Sequence, residues 1–288
     1  MTDPQCPVCA APASLLYEKG GHQVHRCADC GLGFVADLPS PAELEAFYAR
    51  GYYASDGGQT LGYSGYAALE PGLKRQYTRL IDSCLREQPE LRVRRVLDVG
   101  CAHGFFLDVA RERFPEAELV GLDVTPEAAE LVPAKGYAFH RGFVEDIELP
   151  ESHFDLVFMG DALEHVRDAA GVADRLARVL APGGTLVLTT VDFGSWLARL
   201  LGRRWRLMKP PEHLYYWTRP ALERLFGDRG LSTHLSGYWL YLPKSYVARQ
   251  FREQFGFAPF FLALWPADEV PIWSFDVVAA RFHKPRAI

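Results

Sequence analysis

From Arg94 onward, short apolar runs alternate with segments that read as helices. Val96-Leu97-Asp98-Val99 is the first run, followed by a helix from Phe105 to Phe114. Leu119-Val120-Gly121-Leu122-Asp123 predicts a second strand, Pro126 to Lys135 a second helix, and Tyr137 to His140 a third strand. Phe154 to Met159, a helix over Val172 to Leu180, and a strand over Thr185 to Thr190 after Pro182-Gly183-Gly184 continue the alternation. Such alternation predicts a parallel sheet with helices on both faces. The last strands, Leu231 to Gly237 and Phe275 to Phe282, read as antiparallel.

The first third of the chain has a different character. Ser40-Pro41-Ala42-Glu43 predicts a helix start, with Ser as cap and Pro at the first position. A further helix is expected from about Pro71 to Glu87, after a loop marked by Gly57-Gly58 and Gly62. Tyrosines gather here, and Tyr48, Tyr52 and Tyr53 are candidates for a substrate pocket or for packing at a domain seam. The expected organisation is a ribbon over 1–35, a helical cap on the substrate side over 36–93, and a main α/β domain over 94–288. Within that domain, 238–270 form an aromatic insertion.

Four of the six cysteines form Cys6-x-x-Cys9 and Cys27-x-x-Cys30, with 17 residues between the pairs. Each pair is a tight turn that points two sulfurs at one tetrahedral ion, so the spacing predicts a structural zinc site. Four thiolates close the site and leave no position for substrate; His22 and His25 are alternative ligands. The chain carries 31 basic and 36 acidic side chains for a net charge of −5, which argues against binding nucleic acid through bulk charge. No apolar run approaches the roughly 18 residues that span a bilayer, so no stable membrane insertion is expected. The N-terminus lacks the basic start and apolar core of a secretion signal, and a cytoplasmic protein is expected.

Asp98-Val99-Gly100-Cys101-Ala102-His103-Gly104 follows a strand and opens a helix, where glycines and free N–H groups let backbone approach a ligand. Asp123 ends the next strand, 19 residues beyond Gly104, where a carboxylate can accept both hydrogen bonds of a ribose diol. These two motifs, with Phe154-Asp155-Leu156-Val157, Leu163-Glu164-His165-Val166 and Leu180-Ala181-Pro182-Gly183-Gly184, resemble a class I S-adenosylmethionine-dependent methyltransferase over residues 94–288. The resemblance implies an α/β, Rossmann-like seven-stranded sheet whose last strand is antiparallel. It implies S-adenosylmethionine as cofactor and S-adenosylhomocysteine as product. It places Asp98, Gly100 and Gly104, with Cys101, at the methionine part, and Asp123 with Val124 at the ribose. Phe143 and Val144 would lie by the adenine, and Met159 and Asp161 on the pocket floor. The family's usual middle glycine is here Ala102, and His103 replaces a small residue.

A ribbon before this fold is also similar to small-molecule methyltransferases, including C-methyltransferases of nucleotide-linked ketosugars. Pro210-Pro211-Glu212-His213-Leu214-Tyr215-Tyr216-Trp217 resembles their Glu-His motif, though their additional C-terminal domain has no counterpart here. His213 is the candidate general base and Glu212 its orienting partner or a substrate contact. The expected reaction is methyl transfer to a hydroxyl or carbon of a sugar or secondary-metabolite intermediate. Asp161-Ala162-Leu163-Glu164-His165 is similar to a pattern in quinone-precursor O-methyltransferases. That alternative would use a divalent cation such as Mg2+ to acidify a catechol hydroxyl, with His165 in the pocket. An RNA methyltransferase gripping its substrate through the ribbon, and a non-catalytic scaffold, are the other classes weighed. The basic amphipathic stretch Trp196 to Arg206 reads as a lid, a phosphate contact or a membrane-surface helix, with a plain solvated helix as the default. The acceptor and the oligomeric state, a homodimer included, are left open.

Overall fold

The computed structural model describes residues 4–48 and 66–286. Strands β1 (Ala13–Lys19) and β2 (His22–Cys27) form a hairpin across Gly20-Gly21, both at positive φ, and β3 (Gly33–Val35) pairs with β2. Helix α1 (Pro41–Tyr48) opens on a reciprocal capping box: the Ser40 N–H donates to Glu43 Oε2 at 2.8 Å, and the Glu43 N–H to Ser40 Oγ at 3.3 Å. Helix α2 (Glu70–Glu87) leads into the large sheet.

That sheet uses β4 (Arg95–Val99), α3 (Phe105–Arg113), β5 (Glu118–Asp123), α4 (Pro126–Ala134), β6 (Ala138–Arg141), β7 (Phe154–Gly160), α5 (Ala169–Val179) and β8 (Leu180–Val191). Next come α6 (Trp196–Leu201), β9 (Tyr215–Tyr216), α7 (Arg219–Gly227) and β10 (Ser232–Ser236). An excursion of β11 (Trp239–Pro243), α8 (Lys244–Phe255), α9 (Phe261–Leu264) and β12 (Glu269–Trp273) precedes the closing strand β13 (Val277–His283). The seven strands lie in the order β10-β13-β8-β7-β4-β5-β6, and β13 is antiparallel to both neighbours, as the resemblance implied. The order reverses between β4 and β7, which opens a crevice at the carboxyl ends of these strands.

Alternation along each strand feeds two cores. Leu97, Val99, Leu122, Val157, Met159 and Leu188 face one side, where they meet α5, α7 and the ribbon. Val96, Leu119, Leu156, Phe158 and Val187 face the other, against α2, α3 and α4. Strand β8 begins at Leu180, earlier than Thr185, because Leu180 already pairs with Phe154. Pro182-Gly183-Gly184 is thus an irregularity within a strand, with Gly183 at φ +81° and its N–H on Lys284 O.

The ribbon joins the main body through backbone. Strand β3 pairs with β9, so β1-β2-β3-β9 make one four-stranded sheet. The Thr218 hydroxyl donates to Cys30 O at 2.6 Å, and Arg224 pairs with Asp29. The aromatic excursion is a β11–β12 hairpin around two helices, with a small core of Val247, Leu262 and Val270. Its aromatics divide: Tyr241 is buried and Phe251 packs on that core, whereas Phe255, Phe257, Phe260 and Phe261 are exposed, so packing does not account for these four.

Helix α2 packs so closely on β11 that a Cβ on Gly72 would stand 1.9 Å from Tyr241 O. Gly72→Ala is expected to destabilise the protein by about 2 kcal/mol or more through this clash, read as a lower thermal midpoint. An unchanged midpoint would contradict the α2–β11 docking.

Candidate active site

Two cavities open at the carboxyl edge of the sheet. The first is lined by Gly100, Asp123, Val124, Phe143, Val144, Met159 and Asp161 from the expected cofactor set, together with Tyr48 and His165. Gly100 and Gly104 take φ +75° and +74°, which only glycine adopts without strain. Ala102 also stands at φ +48°, so the glycine replaced here would have suited the backbone. The Ala102 N–H donates to Asp123 Oδ2 at 2.9 Å, and Thr125 donates its N–H and hydroxyl to Asp123 Oδ1 at 2.8 and 2.6 Å. Asp123 thereby locks the loop after β4 onto the end of β5.

Asp98 lies beneath the loop, fully buried, and its Oδ2 has no hydrogen-bond partner among the described residues. Burial, and then the charge of Asp123, push its carboxyl well above the usual range. Such an orphaned acid fits a cationic ligand. Cys101 points away, into the core beneath Gly121, and its N–H is held by Leu122 O. His103 packs edge-on against Tyr66 and Phe105. Tyr48 meets Phe143 edge-on, on the cofactor-side cavity. Tyr52 and Tyr53 lie outside the described residues.

The second cavity shares Asp161 with the first. Its walls include Tyr66, Gln76, Tyr77, Glu164, Arg206, His213, Tyr238 and Tyr246. They come from α2 and its approach, the loop after β7, the segment before β9 and the aromatic excursion, and no single motif marks them. Asp161 takes φ +48° and accepts from the Thr189 hydroxyl at 3.0 Å. Glu164 accepts from the Thr190 hydroxyl at 2.7 Å, and burial followed by the charge of Asp161 pushes its carboxyl up to about 8.

The Glu212-His213 segment is held from both sides. Leu214 and Tyr215 donate their N–H groups to Glu164 O at 2.7 and 3.1 Å, and the ribbon's Val35 N–H donates to Leu214 O at 2.9 Å. Glu212 faces Lys209 across 3.8 Å. His213 is 3% exposed, and its Nδ1 has no hydrogen-bond partner among the described residues. Burial, then His165 and Lys209, hold its imidazole well below the ordinary value, so it is neutral. The rings of His165 and His213 meet edge-on with centroids 4.9 Å apart. His165 Nδ1 is 2.7 Å from Glu212 O, which as a carbonyl must accept. Glu164, His165 and His213 each present a ligand atom within 4.8 Å of the others.

The four ribbon cysteines are unpaired by disulfides, and their sulfurs converge: Cys6 to Cys30 is 3.6 Å, Cys9 to Cys27 3.4 Å and Cys9 to Cys30 3.7 Å. Tetrahedral ligands about 2.3 Å from zinc require sulfurs close to this spacing. His22 instead pairs with Asp37, and His25 stacks on Phe34, so neither joins the cluster.

Two outcomes are expected. The isolated protein should contain one zinc per chain by elemental analysis, and a strong chelator should lower its thermal midpoint by about 10 °C or more. Metal-free protein of equal stability would exclude the ion. Asp98 binds its proton more tightly folded than unfolded. Its contribution to stability is therefore full below the ordinary carboxylate pKa and lost as pH rises through the raised value. Asp98→Asn should raise the midpoint by about 2–4 °C in mildly alkaline buffer, with the gain vanishing toward acid, and weaken cofactor binding about tenfold or more. A variant that binds normally would remove Asp98 from the site.

A family model described as a methyltransferase domain matches residues 70–235. Trans-aconitate 2-methyltransferase of Methylobacterium nodulans is 35% identical over 41% of this chain and 48% of that protein. The chloroplastic tocopherol O-methyltransferase of Arabidopsis thaliana is 29% identical over 61% of this chain and 49% of its own length. The chain thus spans about half the length of the curated relatives it matches. A solved S-adenosylmethionine-dependent methyltransferase of Thermotoga maritima superposes with a TM-score of 0.52 at 16% identity, over 76% of this chain and 92% of that one, a likeness of fold. With the family model covering more than half of its residues, the chain belongs to the methyltransferase-domain family.

Proposed function

We propose that the protein transfers a methyl group from S-adenosylmethionine to a hydroxyl or carbon of a small molecule held in the second cavity. The observation that carries this reading is the meeting of two cavities at Asp161, one fitted to the cofactor and the other lined by a buried neutral imidazole. Asp98 and the loop from Gly100 to Gly104 hold the methionine part, Asp123 the ribose, and Phe143 and Val144 the adenine. The cofactor supplies an electrophilic methyl on a sulfonium. The chain supplies alignment, exclusion of water and an acceptor for the proton that the nucleophile releases. The imidazole of His213 is that acceptor, while Glu212 anchors His165 through its carbonyl. The relatives are named for methyl transfer to trans-aconitate and to tocopherol, both small molecules. The ribbon zinc is structural in this reading. The ribbon braces the strand that follows His213.

A second reading is favoured by the cluster of Glu164, His165 and His213. These residues would hold a divalent cation that acidifies the acceptor hydroxyl. A mixed imidazole and carboxylate set suits zinc, iron or manganese; Mg2+, raised by the sequence, asks for oxygen donors and does not fit. His213 cannot be ligand and base at once, so the readings exclude each other.

His213→Ala should lower kcat about 100-fold or more while S-adenosylmethionine affinity changes less than about threefold. Loss of cofactor binding would remove the proposed role. Activity that vanishes on dialysis with the ribbon zinc retained, and returns with added metal, would select the second reading.

A further inference from the structure

The outward-facing aromatics adjoin a cationic surface. On α6, Trp196 and Leu200 stand one turn apart, 60% and 71% exposed, while Ala198 faces inward. Residues 196–206 contain four arginines and no acid. Arg199, Arg203 and Arg204 have no acidic partner among the described residues, whereas Arg206 is tied to Asp276. Gln254 Nε2 donates to Arg204 O at 2.8 Å, which sets the end of α8 beside this turn. From there Phe255, Phe257, Phe260 and Leu264 run outward, and Phe260 is 81% exposed. Residues 244–265 add Lys244, Arg249 and Arg252 against a single acid, Glu253, which pairs with Arg249 at 3.9 Å. A net acidic chain therefore gathers exposed aromatics and an excess of cations on one face, Arg199, Arg203 and Arg204 among them without an acidic partner among the described residues.

We infer that this face docks reversibly on a bilayer that carries anionic headgroups. Aromatic and leucine side chains sink into the headgroup boundary, and arginines meet the negative surface. Charge decides against the other occupants. A second copy placed by two-fold symmetry would set cations against cations. The aliphatic Leu200 and Leu264 gain nothing from a phosphate backbone. Among the described residues no helix is long and apolar enough to cross a membrane, so the contact is adsorption. The same segments wall the acceptor cavity: Arg206 and Leu207 follow α6, and Leu240, Leu242 and Tyr246 belong to the excursion. Resting on the proposed function, the acceptor class is then an amphiphile whose apolar part is delivered from the membrane.

The test is sedimentation of the full chain with vesicles, which needs no turnover and so stands apart from the methyl-transfer reading. Vesicles with one third phosphatidylglycerol should carry the protein down. Pure phosphatidylcholine, or high salt, should weaken binding about tenfold or more. Arg203→Glu with Arg204→Glu, and separately Phe257→Ser with Phe260→Ser, should each lose binding by about tenfold or more at an unchanged thermal midpoint. Wild-type protein that stays in the supernatant, or variants that bind as it does, would overturn the inference. So would a wild-type dimer that Phe257→Ser with Phe260→Ser turns into monomer, because that assigns the face to a second copy.

Discussion

The carbonyl of Glu164 carries the architecture of the site. It accepts the N–H groups of both Leu214 and Tyr215, and so fastens a segment distant in sequence to the loop that follows β7. That fastening brings His213 to Glu164 and His165 and seats β9 at the edge of the ribbon. Without it the second cavity would lose a wall, and β3 would keep an unpaired edge. Both polar groups of Glu164 are committed at once, the carbonyl to backbone and the carboxyl to Thr190, so the loop has little freedom to relax.

The ribbon takes its place in this scheme through backbone pairing. Residues 4–35 are too few to hold a core alone, and the ribbon's apolar side chains Val24, Leu32, Phe34 and Val35 join the core beneath the sheet. A metal at the four thiols would fix the turns that carry β2 and β3, and β3 in turn supports the strand after His213. Structural metal and proposed base are thereby linked through three strands and a few hydrogen bonds.

What the sequence makes legible is what is local. The cysteine spacing, the loop from Asp98 to Gly104 and the acid at Asp123 each lie within one turn or one strand end, and the structure places the pocket-lining members around one cavity. The acceptor cavity is drawn from four separated segments, so Gln76, Tyr77, Tyr238 and Tyr246 show only as aromatic or polar residues among others. Strand β9 has two residues, too short for periodicity to reveal, although it joins ribbon to body. Cys101 fits the loop motif by position, yet the turn at Gly100 (φ +75°) sends its side chain into the core opposite that of Leu97 and Val99. The aromatics near Phe260 stand out in sequence only as an aromatic insertion over 238–270, because composition does not report which side of a short helix meets solvent.

The central claim is that a methyl group passes between two adjoining cavities to a small molecule. Incubating the protein and host extract with S-adenosylmethionine labelled on its methyl group, then separating small molecules, RNA and protein, tests it most directly. The account predicts label in the small-molecule fraction, dependent on added protein. Label in RNA or protein alone, or cofactor bound without any transfer, would contradict it.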